Sequence, residues 1–321
     1  MHLLQNRTNV VHFGAVYDVT NVKNIFRDGC MLHTKLTTVY IACALIFLAS
    51  EVMANELTVL WELDNFDKPE SMLYDKQHNV VFVSNVDGVP NEKDGKGYIS
   101  VLSLQGEIKN KYWVTGLNAP KGLGRYDNLL YVTDIDTLLE INIDNGKIQN
   151  RYYSPEAKFL NDVIVNDNGH VYVSDMVTNS IYCLVDNEFS VWLQSDELEN
   201  PNGLYIENGH LIVGAWGKMT DGFSTDIPGH LKSVSLKDKQ IKSLGHGKPV
   251  GNLDGVEVDG KGNFYVTDWM SGGLFLISRT GDAEKVLQLP KGSADHDVVL
   301  SEGIILVPRM LEDKLTAYKI H

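Results

Sequence analysis

One phrase recurs six times along this chain. A polar residue stands before a short apolar strand, a turn follows, and a second apolar strand returns. It is clearest in residues 252–269, where Leu253-Asp254-Gly255-Val256-Glu257-Val258 meets a turn at Gly260-Lys261-Gly262-Asn263 and continues as Phe264-Tyr265-Val266-Thr267-Asp268. The period of two in Val256/Val258 and Phe264/Val266 is that of a half-buried hairpin. The other copies begin near Pro69, Pro120, Leu160, Pro201 and Asp295. The polar residues at the strand mouths fall at positions 70, 121, 161, 202, 254 and 296. These are spaced by 51, 40, 41, 52 and 42 residues, a mean of about 45, which matches the repeat of four-stranded propeller blades.

Each copy carries two more strand-like runs, and no stretch keeps a 3.6-residue apolar period. The expectation is an all-β, six-bladed β-propeller of four-stranded blades. The last copy offers only three strands, and an orphan strand, Leu57–Leu63, precedes the first. Pairing this N-terminal strand into the last blade closes the ring and hides an edge. Residues 55–321 are expected to be one propeller domain. The two long spacings place extra residues at 85–97 and 216–229, after the second strand of blades one and four. Both loops are expected on the mouth face, opposite one another, where long loops commonly serve function.

The N-terminal part reads differently. Residues 39–49 are apolar and uncharged, His33 and Lys35 precede them, and Val52-Met53-Ala54 follows. Residues 31–54 therefore read as a signal peptide cleaved after Ala54, with Met31 as its start and residues 1–30 as an upstream extension. The apolar run is short for a bilayer span. The expected product is periplasmic or secreted, monomeric, and has no stable membrane insertion after cleavage. Of three cysteines only Cys183 then remains, within a strand pattern, as a small core residue. With 28 Lys+Arg against 42 Asp+Glu the net charge is −14, which excludes the basic footprint of nucleic-acid binding and suits cations.

The mouth positions hold Glu70, Lys121, Asn161 (with Asp162 beside it), Asn202, Asp254 and His296. Innermost strands converge on a propeller axis, so these residues should meet. Glu70, Asn161, Asn202 and Asp254 supply two carboxylates and two amide oxygens, a hard-oxygen set suited to one divalent cation, calcium first, with magnesium or manganese next. Zinc fits less well without thiolates and with one histidine. The Ser-Asn or Thr-Asp pairs ending the second strands (Asn85, Asp134, Asp175, Asp268) read as turn caps.

Four motifs in this order carry a resemblance: Pro69-Glu70-Ser71, Asn161-Asp162, Pro201-Asn202-Gly203-Leu204 and Leu253-Asp254-Gly255-Val256. Over nearly all of residues 55–321 the sequence resembles the senescence-marker-protein/gluconolactonase family, which includes regucalcin and bacterial gluconolactonases. The wider superfamily holds paraoxonase, diisopropylfluorophosphatase and strictosidine synthase. The resemblance implies a calcium or other divalent ion on the axis and hydrolysis of lactones or related esters. Glu70, Asn202 and Asp254 match the metal ligands, and Asn161 matches a residue touching metal or substrate. Asp254 or Asp162 would take the proton of the attacking water. Where sugar lactonases carry an arginine this chain has Phe159, which points to an apolar-tailed substrate. Lys121 is expected to hold a substrate carboxylate, and His296 to shuttle a proton. The alternative is a non-catalytic secreted propeller that binds a small ligand or protein. A strictosidine-synthase-like activity would want a glutamate at a mouth of the last blades, and none stands there.

Mass spectrometry of protein from its source cell is expected to find Asn55 as the first residue. An intact N-terminus in a cytosolic fraction would contradict the signal-peptide reading.

Overall fold

The computed structural model describes residues 57–321. The signal segment and upstream extension expected within residues 1–54 lie outside the described residues. Among the described residues the strands form six antiparallel four-stranded sheets, arranged as a six-bladed β-propeller. Two single turns of 3₁₀ helix among the described residues, Asp196–Leu198 and Met310–Glu312, interrupt the all-β pattern.

Strands are numbered β1 to β24 in chain order, from β1 (Leu57–Leu63) to β24 (Lys314–Ile320). Each blade begins with its innermost strand. These are β2 (Pro69–Asp75), β6 (Pro120–Tyr126), β10 (Leu160–Val165), β14 (Pro201–Glu207), β18 (Leu253–Val258) and the short β22 (Asp297–Val299). The second strand of each blade is covered on both faces by its neighbours. Val80–Asn85 is therefore buried at every residue, and so is Val171–Asp175. Such strands read as continuous apolar runs because no face meets water.

The core consists of one apolar layer between each pair of adjacent blades. Phe82 and Ile99 of blade one pack on Leu130, Val132 and Leu139 of blade two. Tyr265 and Leu274 of blade five pack on Ile305 and Val307 of blade six. Burial in these layers is the main driving force for the ring. It requires that no blade be left with an open flank.

Closure follows the expected route. The last blade has the order β1-β24-β23-β22, where β23 is Ile304–Arg309, so the first strand of the domain is the outer strand of the last blade. Leu57 pairs with Ile320 and Leu63 with Leu315. Half-buried Trp61 packs against the layer between blades six and one, and its indole N–H donates to the Leu104 carbonyl at 3.0 Å. Glu62 receives Lys314 at 2.8 Å and also pairs with Arg309.

Trp61→Ala removes an aromatic body and leaves the Leu104 carbonyl without its donor. It is expected to lower Tm by roughly 5–10 °C, from a loss of about 2–3 kcal/mol. Deleting residues 57–63 exposes β24 as an edge and should cause aggregation visible by light scattering. Unchanged melting in both variants would mean that β1 does not hold the ring shut.

Candidate active site at the propeller mouth

The mouth side chains reach the axis because the inner strands enter their sheets irregularly. In five blades the strand register shifts at the mouth residue: between Pro69 and Ser71, Pro120 and Leu123, Leu160 and Val163, Pro201 and Leu204, and Leu253 and Val256. A bulge of this kind takes a residue out of the ladder and re-aims its side chain. The backbone groups it frees are taken up by hydroxyls of the second strands. Ser71 N–H donates to Ser84 Oγ at 2.9 Å, Asp162 N–H to Ser174 Oγ at 3.0 Å, and Gly255 N–H to Thr267 Oγ1 at 3.0 Å. Thr133 then donates across the blade boundary to the Asn161 carbonyl, and Thr267 to the Ala294 carbonyl at 2.9 Å.

Glycine after a mouth residue lets the inner strands converge. A Cβ on Gly203 would sit 1.8 Å from the Asp254 carbonyl oxygen, and one on Gly255 would meet the Asp295 and His296 side chains at 2.6–2.7 Å. The Asn202-Gly203 and Asp254-Gly255 pairs are thus strand residues at a close approach. Three of the four residues closing the second strands cap turns as expected. Asn85 does not, since its amide nitrogen donates to the Val83 carbonyl at 3.2 Å and to Ser100 Oγ at 3.1 Å while its Oδ1 has no partner. Asp134 accepts Ala119 N–H at 2.7 Å, Asp175 accepts Lys158 N–H at 2.7 Å, and Asp268 accepts Asn252 N–H at 3.2 Å.

Glu70, Lys121, Asn161, Asn202 and Asp254 line one cavity of about 320 Å³. Phe159 lines it too. Both long loops reach it, through Pro90 of the first and Trp216 and Phe223 of the second. All five polar residues are buried. Burial and the neighbouring Asp254 carboxylate push the Glu70 carboxyl well above the usual range. Burial, with Asp295 and Asp268 nearby, does the same to Asp254. Glu70 Oε2 has no hydrogen-bond partner. Asn202 is close enough to favour the charged form of Asp254, yet neither of its amide atoms completes a hydrogen bond of ordinary geometry. Orphaned oxygens beside two carboxyls that burial and mutual repulsion penalise are what a hard divalent cation would satisfy. Among the described residues no three His, Cys, Asp or Glu side chains form a metal-holding group by themselves, so the set depends on its amides. Lys121 donates to the Ala119 carbonyl at 3.0 Å and lies 4.4 Å from the centre of the Phe159 ring. Burial lowers its pKa to about 8, against the pull of Glu70.

Asp162 and His296 go elsewhere. Both line a second axial cavity of about 250 Å³, together with Arg125, Glu257, Asp295 and Asp297. Asp162 accepts Val163 N–H at 2.6 Å and Leu204 N–H at 2.5 Å, so its carboxylate ties blade three to blade four. The mouth position of blade six is Ala294, because its carbonyl receives the Thr267 hydroxyl as the Asn161 carbonyl receives that of Thr133. The expected mouth residue His296 is two positions further along. Its ring nitrogens have no partners, and burial pushes its pKa down to about 3, so it stays neutral. Sequence reasoning missed Glu257, Asp295 and Asp297. For Asp295 and Asp297 the available signal was that they flank His296 directly; Glu257, on the inner strand of blade five, had none.

A six-bladed propeller with a polar floor and an apolar wall at one mouth of its axis defines the class of this molecule. No family model matches the sequence, and no curated protein matches it. Solved structures resemble it in fold. A gluconolactonase from Xanthomonas campestris is 14% identical, with 86% of this chain and 92% of that chain covered and a TM-score of 0.60. A putative gluconolactonase is 17% identical over 86% and 95%, with a TM-score of 0.59. A catalytically inactive His-to-Ala variant of virginiamycin B lyase from Staphylococcus aureus, with quinupristin, is 14% identical over 83% and 100%, with a TM-score of 0.55.

The lower cavity makes a prediction about pH. Burial raises Asp297 from 3.8 to about 6 in the fold, although Tyr74 N–H donates to it at 2.6 Å. A carboxyl raised on folding favours the protonated native state, so its contribution is lost as pH rises through the folded pKa. Asp297→Asn keeps an acceptor for Tyr74 and removes the charge. Its Tm relative to wild type should climb between about pH 4 and 6 and then level off. A difference that is constant over this range would contradict the assignment.

Proposed function

We propose that this chain is a divalent-cation-dependent hydrolase of lactones or related esters, acting at the propeller mouth. The observation that supports this reading most is the meeting of Glu70, Asn161, Asn202 and Asp254, from four blades, on the floor of one apolar-walled cavity. These four residues would hold the cation, calcium best by their chemistry. When bound, it would supply Lewis-acid polarisation of the substrate carbonyl.

The chain's own groups carry the rest. Asp254 is favoured over Asp162 as acceptor of the water proton, because the Asp162 carboxylate is committed to two backbone N–H groups. Lys121 offers a cation to the carboxylate that ring opening releases, and Phe159 fixes it at the edge of the apolar wall. His296, in the other cavity and neutral, has no part in this step. Gluconolactonases and a lyase share the fold, and fold alone does not choose between reactions. The oxygen-donor floor without a histidine in the cavity lining favours hydrolysis here.

A panel of lactones and esters, with EDTA and with added calcium, tests the reading. Calcium at a hundred times its Kd should add about 2.7 kcal/mol, raising Tm by roughly 5–10 °C. Asp254→Ala should abolish both this shift and hydrolysis, and Asp254→Asn should weaken both. Equal melting in calcium and EDTA, with no turnover of any compound, would leave a secreted propeller that binds a ligand without reacting.

A further inference from the structure

The two ends of the mouth cavity differ in chemistry. Its polar groups are gathered on the floor. Its walls above Phe159 are Met176, Trp216, Phe223 and Trp269 on one side, and Pro90, Met310 and Leu311 on the other. Ring contacts join the first side into a continuous surface. Phe159 lies 5.5 Å from Phe223, Trp216 lies 6.2 Å from Phe223, and Trp216 lies 6.1 Å from Trp269. Lys68 also lines the cavity, with its ammonium donating to the Gly88 carbonyl at 2.5 Å, but among the described residues no arginine, serine, threonine or glutamine does, so the walls offer few partners to substrate hydroxyls. A polyhydroxylated lactone would bury these groups without partners, at a penalty for each.

The long loop after the second strand of blade four supplies the outer part of this surface. Its base is fixed. Trp216 Nε1–H donates to the Phe223 carbonyl at 2.9 Å, and Asn252 Nδ2–H donates to the Trp216 carbonyl at 2.8 Å and to Thr225 Oγ1 at 2.9 Å. Met219 N–H donates to Asn200 Oδ1 at 3.0 Å. Phe223 is thereby carried over the mouth. It remains 45% exposed, whereas Phe159 and Trp216 below it are 8% and 4% exposed. A large apolar ring held half in water over an apolar cavity gains cover when an apolar body lies beneath it.

We infer that the mouth selects lactones or esters with an unsubstituted apolar tail, and that Phe223 is the specificity-determining residue for tail length. The reacting bond in this inference rests on the hydrolase reading, whereas the tail subsite rests on the walls alone.

The test measures binding and turnover separately. Calorimetry in EDTA, with wild-type protein, follows γ-butyrolactone, γ-hexalactone, γ-octalactone, γ-decalactone and glucono-δ-lactone. Affinity should rise about threefold to fourfold per added methylene, and glucono-δ-lactone should bind no better than γ-butyrolactone. Phe223→Ala should erase the gain from the last methylenes and leave γ-butyrolactone unchanged, while Phe223→Leu should keep most of it. As the side chain is about half exposed and belongs to no blade layer, neither variant threatens the fold, and melting curves would verify this. A flat series, glucono-δ-lactone as the tightest ligand, or a slope indifferent to Phe223→Ala would overturn the inference. If the slope is present but calcium brings no turnover, the inference stands and the hydrolase reading falls. If turnover occurs with kcat/KM independent of the tail, the hydrolase reading stands and the inference falls.

Discussion

Like charges buried together on one axis are the constraint that the rest of the structure serves. Glu70, Asp254, Asp162, Asp295, Glu257 and Asp297 all have carboxyls that burial makes harder to ionise. An arrangement of this kind persists only where the surrounding framework is strong enough to hold it, or where a counter-charge arrives. Six apolar layers between blades supply the framework. Lys121 supplies one positive charge at the mouth, and Arg125 lies along the second cavity. The remaining imbalance is the ground on which a cation is proposed at the mouth.

Framework and site are joined by a small device repeated around the ring. In five blades a bulge turns one residue of the inner strand toward the axis, in three of these a hydroxyl from the second strand takes up the freed N–H, and a glycine or short side chain lets the next strand approach. The polar site residues therefore sit on the buried first halves of the inner strands and not on loops. Their positions are set by packing on both sides, which suits chemistry that depends on fixed geometry. The loops contribute walls, where some freedom is useful.

Much of this was legible in the residues. The repeat gave the blades because each blade buries the same alternating face, and the orphan strand at Leu57–Leu63 gave the closure. Four of the mouth donors could be found because their motifs sit at equivalent points of the repeat. Blade six could not be aligned in this way. Asp295-His296-Asp297 is polar at three consecutive positions and no glycine marks the approach, so the register depends on a hydroxyl from another blade, Thr267, reaching Ala294. Asp162 misled for a related reason. It follows Asn161 directly, but strand neighbours face opposite ways and its carboxylate turns to the other cavity. The second cavity is lined by all six inner strands, and apart from Asp295-His296-Asp297 its polar residues come one to a blade, Arg125, Asp162 and Glu257, a convergence with little local pattern.

The closing strand has a further consequence for the order of events in folding. Leu57 and Ile320 are partners across the full length of the domain, a pairing that carries the largest loop-closure entropy the chain can offer. Five blades can assemble from neighbours in sequence, whereas the sixth waits for the two ends to meet. A ring sealed in this way also has no privileged origin. Because its first and last strands lie side by side, a short peptide linking them would allow the same circle to be cut at any exposed turn, with the axis and its contents undisturbed.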